Sequence, residues 1–431
     1  ATYRLQFGKN LTFADAARLL PYLDRLGISH LYASPFLDAR ADSAHGYDIT
    51  DYGSLNPEIG GDEGLAALAR GLGHFGMGQI LDFVPNHMGI GKADNAWWLD
   101  VLEWGQTSPY ADYFDIDWRP AKPELRGKVL LPFLGDHYGH VLERGELALR
   151  FDADEGGFAV WYHEHRFPIG PRHYWYVLAA QSTAERKAGR EQTAANLEDI
   201  VGRSRALRST SQSRRRRAAL RDQGLALKRD LAVLYRSDVR VREAIDRAVE
   251  HFSGDPAQPR SFVPLHRLLE RQAYRLAYWR VASDEINYRR FFDINELAGI
   301  RMERADLFEI AHRLIRDLVG RNALHGLRID HIDGLFDPAG YCRRLADEFR
   351  SGNAAERLGI YLLVEKILGP DELLRASWPV HGTTGYEVMN QINGLFVQPA
   401  GERSLSRVYR RFSGETAPYA DVLYDLSLIH I

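Results

Sequence analysis

Short apolar runs alternate along the chain with longer windows whose apolar positions recur at helical spacing. That is the pattern of parallel strands joined by crossover helices. The run "TYRLQF" is followed by a helical window, "DAARLLPYLDRLG", in which Ala16, Leu19, Leu20, Leu23 and Leu26 share a face and Gly27 ends it. "ISHLYAS" is the second strand; a turn-rich segment and the helix "DEGLAALARGLGHFG" lead to the third, "QILDFVPNH", closed by Pro85. The rhythm resumes with helix "ADLFEIAHRLIRDLV", strand "LRIDHI", helix "PAGYCRRLADEFR" and strand "YLLVEKI", and a sixth strand is expected within Pro379 to Val388. Such a series suits a barrel or a doubly wound sheet, and no Gly-rich phosphate loop follows the first strand.

Residues 1 to 90 and 301 to 425 thus read as two parts of one α/β body. The stretch from 91 to 300 is too long for a loop and is expected to fold as a subdomain inserted after the third strand. Its first part, "KVLLPFL", "VLERGELALRFD" and "GGFAVWYHEHRF", alternates like β-hairpins. From Thr193 to Arg280 it reads as helical and basic. The run Arg214 to Arg217 is flanked by acidic residues and lacks stacking aromatics, so a solvated helix face is expected there, not a nucleic-acid contact.

Composition narrows the class further. The 431 residues are 45% hydrophobic and 26% charged, with a formal net charge of -3, which gives no reason to expect nucleic acid or a membrane as partner. The one cysteine, Cys342, excludes an internal disulfide. No apolar run is long enough for a membrane span, and "ATYRLQFGKN" is not a signal peptide, so the cytoplasm is expected. Both ends look cut: the first residues already read as a core strand. The tail "LSLIHI" back-translates to a sequence like a transposon end used in sequencing, so 426 to 431 are expected to be a scar.

In a parallel barrel the reactive groups project from the C-terminal ends of the strands. Here those ends carry Asp82, Asn86 and His87 in "LDFVPNH", Arg328 and Asp330 in "LRIDH", and Glu365 in "LLVEK". A retaining glycosidase needs two carboxylates on neighbouring strands, one to attack the anomeric carbon and one to protonate the leaving oxygen. Arg328, two positions before Asp330, faces the same way in an extended strand and is expected to keep Asp330 ionised, while Glu365 retains its proton. Singly these are weak signals, because an Asp at a strand end is more often a cap or an ion-pair partner.

Taken in order, "DFVPNH", "GLRIDH" and "VEKI" resemble the successive motifs of the alpha-amylase superfamily. The resemblance implies an α/β TIM (β/α)8 barrel, incomplete here at about six strands. It makes Asp330 the nucleophile, Glu365 the general acid/base, Arg328 the supporting cation, His87 a donor to the sugar and Asp82 a structural brace. "HGYD" looks like the segment whose tyrosine stacks on that sugar, so Tyr47 becomes the platform, supported by His45 and Asp48. "NYRRFFDINELAGIRME", "GLRIDHIDGL", "HGYDITDY" and "GTTGYEV" are similar, more closely, to the maltooligosyl trehalose synthase family. Two departures stand out: Glu387 replaces the usual Asp after "TTGY", and Asp333 and Gly334 replace the Lys-His that hydrolytic amylases carry.

That family implies conversion of the reducing-end alpha-1,4 bond of a malto-oligosaccharide to an alpha,alpha-1,1 bond, and functional coupling to a maltooligosyl trehalose trehalohydrolase. No cofactor or metal is implied. His331 and Asp333 are the candidates for gripping the turning glucose, and the aromatics of "NAWW" and "HYWY" for either a cover over it or plain core. A third carboxylate is expected beyond residue 431, so the isolated polypeptide is expected to have little activity. The competing readings are an alpha-amylase, a 4-alpha-glucanotransferase, or a non-catalytic carbohydrate-binding protein.

Overall fold

The computed structural model describes residues 1–207, 214–349, 359–369 and 371–430. Arg350 of the expected fourth helix, the side chains of Arg214 and of 427–430, and Ile431 of the expected scar lie outside the described part. The chain forms two units, one of Ala1–Glu365 with Ala376–His381 and one of Lys366–Arg375 with Gly382–Ile431.

The first unit is built on parallel strands β1 (Thr2–Leu5), β2 (His30–Ala33), β3 (Gly78–Phe83), β4 (Gly326–Ile329) and β5 (Tyr361–Val364), adjacent in chain order. The crossovers carry α1 (Phe13–Arg25), α2 (Gly61–His74), α3 (Ala305–Gly320) and α4 (Pro338–Glu348). β3 and β4 are buried throughout, as continuous apolar runs covered on both faces should be. Register matters more than composition here. Arg4 lies beside Tyr32, and Asp82 beside Arg328. Since lateral neighbours in a ladder and residues two apart share a face, Arg4, Tyr32, Asp82, Arg328 and Asp330 all project to one side of the sheet.

The helices form where the pattern places them, and their caps explain where they begin. Thr12 and Asp15 make a reciprocal capping box at the start of α1, with the Thr12 backbone N–H donating to Asp15 Oδ2 at 2.8 Å. The buried stripe of α1 is Phe13, Ala16, Leu20 and Leu23; Leu19 and Leu26, expected on it, are 36% and 51% exposed. They flank the narrower stripe that contacts the sheet. In α3, fully buried His312 uses both ring nitrogens, Nδ1 against the Phe308 carbonyl (2.8 Å) and Nε2 against the Tyr341 hydroxyl of α4 (2.9 Å). A buried imidazole so satisfied ties the two helices together.

Between β3 and β4 the expected hairpins are only partly found. Ala148–Asp152, Gly157–Tyr162 and His165–Pro168 form an antiparallel sheet. Val129–Leu134 instead pairs in parallel with the distant Tyr274–Tyr278, and the "VLE" of the second expected hairpin is the end of a helix, Tyr138–Glu143. The reason is visible in burial: Val129, Leu130 and Leu131 are all inside, so this is a fully buried strand and not one side of a half-exposed ribbon. The helix Tyr174–Lys187 precedes the stretch read as helical, and Glu191–Ala206, Arg214–Ser237 and Val239–Ser253 lie largely within it. Trp98 and Tyr174 are core residues, packed against Phe114 and Phe158. Trp97 lies among Tyr52, Tyr110 and Tyr113, and Tyr176 against Phe252. Trp98 and Tyr174 are thus plain core of the insertion, while Trp97 and Tyr176 are half-buried within aromatic clusters.

In the second unit the expected sixth strand is two residues long, Gly382–Thr383, and helices Tyr386–Gly394, Glu402–Ser413 and Tyr419–His430 follow. Glu387 acts locally there. Its Oε1 accepts from the Thr383 hydroxyl at 2.9 Å, fastening the strand to the first helical turn. Among the described residues no helix is long and apolar enough to cross a membrane.

Candidate active site

The shared face of the sheet converges on one guanidinium. Arg328 Nη1 donates to Asp82 Oδ1 and to Asp330 Oδ1, both at 2.7 Å, and Nη2 lies 3.1 Å from Glu365 Oε1. Three carboxylates thus meet one cation, whose side chain is 6% exposed. Asp82 is braced further by the hydroxyls of Tyr32 (3.0 Å) and Tyr47 (2.5 Å) on Oδ2, with Arg4 Nη2 at 3.8 Å from the same atom. The other oxygen of Glu365, Oε2, accepts from the His331 backbone N–H at 2.7 Å. Asp330 Oδ2 is buried with no hydrogen-bond partner among the described residues.

The surrounding loops carry the other expected residues. In the "HGYD" loop, the Tyr47 backbone N–H donates to His45 Nδ1 at 3.0 Å, Ser43 Oγ donates to Asp48 Oδ1, and His45 lies 3.8 Å from Asp48. Gly46 is required there: its φ is +77°, and a Cβ would sit 2.3 Å from the Pro35 carbonyl oxygen. Tyr47 is half-buried and delivers its hydroxyl to Asp82, so the loop joins the strand site directly. Asn86 and His87 are fully inside. Asn86 Nδ2 is 3.3 Å from His87 Nδ1, the His87 ring lies 4.4 Å from that of Phe291, and His87 Nε2 is buried without a partner among the described residues.

After β4 the chain turns sharply. His331 adopts a left-handed conformation (φ 47°, ψ 49°) and leads into a 3-10 turn over Ile332–Gly334. Its ring packs against Phe291 and Phe292, at 4.9 and 5.4 Å. The site thus brings together Asp82, Arg328, Asp330, Glu365, Tyr47 and the His331 backbone, with Asn86 and His87 alongside. His45 and Asp48 stay within their loop, and Asp333 lies on the exposed side of the turn.

Residues that sequence reasoning misses are Arg4, Tyr32, Phe291 and Arg289. The first two are findable, since period two on β1 and β2 aims them at Asp82. Arg289 is not, because its partners are remote in sequence: it donates to Asn86 Oδ1 (2.5 Å), to the Gly334 carbonyl (3.2 Å) and to the Ile300 carbonyl (2.8 Å), and pairs with Asp115 (3.0 Å).

The electrostatics bear on the expected ionisation of Asp330. Burial raises Asp330 to about 7; Arg328 pulls the other way, but Asp82 and Glu365 add to the rise. At Asp330, burial and the two neighbouring carboxylates thus outweigh the guanidinium that binds it. Burial works against the Arg328 charge, yet Asp82, Tyr32, Asp330 and Glu365 outweigh it and hold the guanidinium protonated. His87 is lowered to about 3, chiefly by burial, so its ring is neutral and Nε2 is available as a donor or acceptor. His331 is also lowered, burial again outweighing Glu365 and Asp333.

Residues 16–142 match the alpha-amylase catalytic domain. A curated protein of Mycobacterium tuberculosis, named as a putative maltooligosyl trehalose synthase, is 34% identical over 99% of this chain and 42% of its own length. The solved maltooligosyltrehalose synthase of Arthrobacter ramosus superposes with a TM-score of 0.68 at 33% identity, covering 97% of this chain and 41% of that one. Along nearly its whole length the chain is similar to maltooligosyl trehalose synthases, and its residues 16–142 match the catalytic domain of alpha-amylases. Its strands are those of the superfamily's TIM barrel, and it spans about two fifths of the length of these relatives. A shorter match is to the intracellular maltogenic amylase of Bacillus subtilis, 38% identical over 22% of this chain and 16% of that one.

Proposed function

We propose that this chain carries the nucleophile and the acid/base of an intramolecular transglycosylase that converts the reducing-end alpha-1,4 bond of a malto-oligosaccharide to an alpha,alpha-1,1 bond. The observation that carries the reading is the bridging of Asp330 and Glu365, on consecutive strands, by Arg328. Two carboxyls held by one guanidinium suit a retaining pair, which needs a spacing of about 5 Å. In its ionised form Asp330 attacks the anomeric carbon through Oδ2, which has no partner among the described residues, and Glu365, held by the His331 N–H, gives its proton to the departing glucose. Glu365 then removes the proton from that glucose's anomeric hydroxyl as it attacks the glycosyl ester and frees Asp330.

The other groups bind and hold in this scheme. His87 Nε2, neutral and unpartnered among the described residues, meets a sugar hydroxyl, and the Tyr47 ring, fixed by its hydroxyl on Asp82, is the stacking platform. His45 and Asp48 hold that loop. His331 and Asp333 face the acceptor glucose. A third superfamily carboxylate completes the set in the full protein, and a maltooligosyl trehalose trehalohydrolase consumes the product in the cytoplasm.

The test is incubation of the full product of the parent gene with maltopentaose. Loss of reducing power at constant chain length, abolished by Glu365→Gln, is expected. New reducing ends would make it an amylase, longer maltodextrins a 4-alpha-glucanotransferase, and no change a binding protein.

A further inference from the structure

We infer that Arg289 is a positioning residue that sets how the glycosyl ester is divided between glucose and water; this rests on the transglycosylase reading above. Both outcomes use the same bonds. The ester bond from C1 to Asp330 breaks, a bond from C1 to the acceptor oxygen forms, and the acceptor's proton passes to Glu365. Only the identity of the oxygen at the point of attack differs, so the ratio of products depends on how firmly the acceptor side is held.

Arg289 is the fastener of that side. It bonds at once to the Asn86 side chain, next to His87, and to the Gly334 carbonyl, which ends the turn begun by His331. His331 in turn holds Glu365 through its backbone N–H. The chain of contacts therefore runs from Arg289 through the turn to the acid/base, without Arg289 meeting any of the carboxylates that react. Its own place is fixed from below by Asp115, which also pairs with Arg301, and by the bare backbone of Gly299, where a Cβ would sit 2.6 Å from the Arg289 Cζ.

Gly334 is the counterpart. A Cβ on it would sit 2.3 Å from His331 Cδ2 and 2.6 Å from Asn86 Oδ1, so the Asn86 and His331 side chains close over a residue that offers no side chain of its own.

The experiment measures trehalose-linked product and released glucose from maltopentaose for the full gene product and its Arg289→Lys, Arg289→Met and Gly334→Ala variants, with a melting curve for each. In Arg289→Met the hydrolysed fraction is expected to rise roughly tenfold, the effect of losing charge-assisted bonds on the acceptor side alone. Arg289→Lys keeps the charge but not the planar fork, and falls between; Gly334→Ala moves the ratio the same way. Should Arg289→Met fail to fold, the other two variants carry the comparison. An unchanged ratio in folded variants, or both products falling in proportion, overturns the inference. A wild-type protein that makes no trehalose-linked product overturns the transglycosylase reading instead.

Discussion

Replacing Asp330 with Asn should stabilise the fold, and do so only above mildly acidic pH. A carboxyl held at about 7 instead of its ordinary 3.8 disfavours the ionised native state by on the order of 4 kcal/mol at pH above 7. The sign follows from proton counting: between those values the folded chain binds more protons at this site than the unfolded chain, so stability falls as pH rises through the window. Below it, both states are protonated and nothing is lost. Asn cannot ionise, and its Oδ1 still accepts from Arg328, which keeps Asp82 and Glu365 as partners. Since Arg328 opposes the rise at Asp330, the gain at pH 8 should be roughly 2 to 4 kcal/mol, shrinking to about zero near pH 4. Urea unfolding followed by tryptophan fluorescence measures it, and all eight tryptophans lie in the first unit. Equal stability at pH 8, or a deficit of the same size at both pH values, would refute the claim that burial and the crowding of carboxylates dominate this site.

Two further outcomes follow from the same geometry. Tyr47→Phe keeps the ring but removes the hydroxyl between Asp82 and Arg4, leaving Tyr32 as the remaining hydroxyl on Asp82 Oδ2; a loss of about 1 to 2 kcal/mol in the same unfolding assay is expected, and an unchanged curve would contradict it. His87, lowered to about 3, should show NMR ring shifts that are flat from pH 5 to pH 8, whereas a titration midpoint inside that range would show that its ring is not desolvated as described.

What can be read in the sequence is what each strand carries in itself. β3 and β4 announce their burial by unbroken apolar runs, and the polar residues that interrupt them at the C-terminal ends are the ones that meet in the structure. Period two then places Arg328 and Asp330 on one face without any knowledge of their partners. Apart from local slips such as Leu19 and Leu26, the failures concern quantities fixed by residues far away along the chain. Val129–Leu134 looks like half of a hairpin because its true neighbour, Tyr274–Tyr278, lies beyond several helices. Arg289 cannot be singled out, since it reaches Asn86 across 203 positions and Asp115 across 174. The electrostatic surroundings of Asp330 are hidden for the same reason: the cation two residues away is visible in the sequence, but Asp82 and Glu365 arrive at the same guanidinium only through the lateral register of three strands. A charge balance is a property of what converges. Local sequence names the members of this site, and the parallel register decides that three carboxylates converge on its one buried guanidinium.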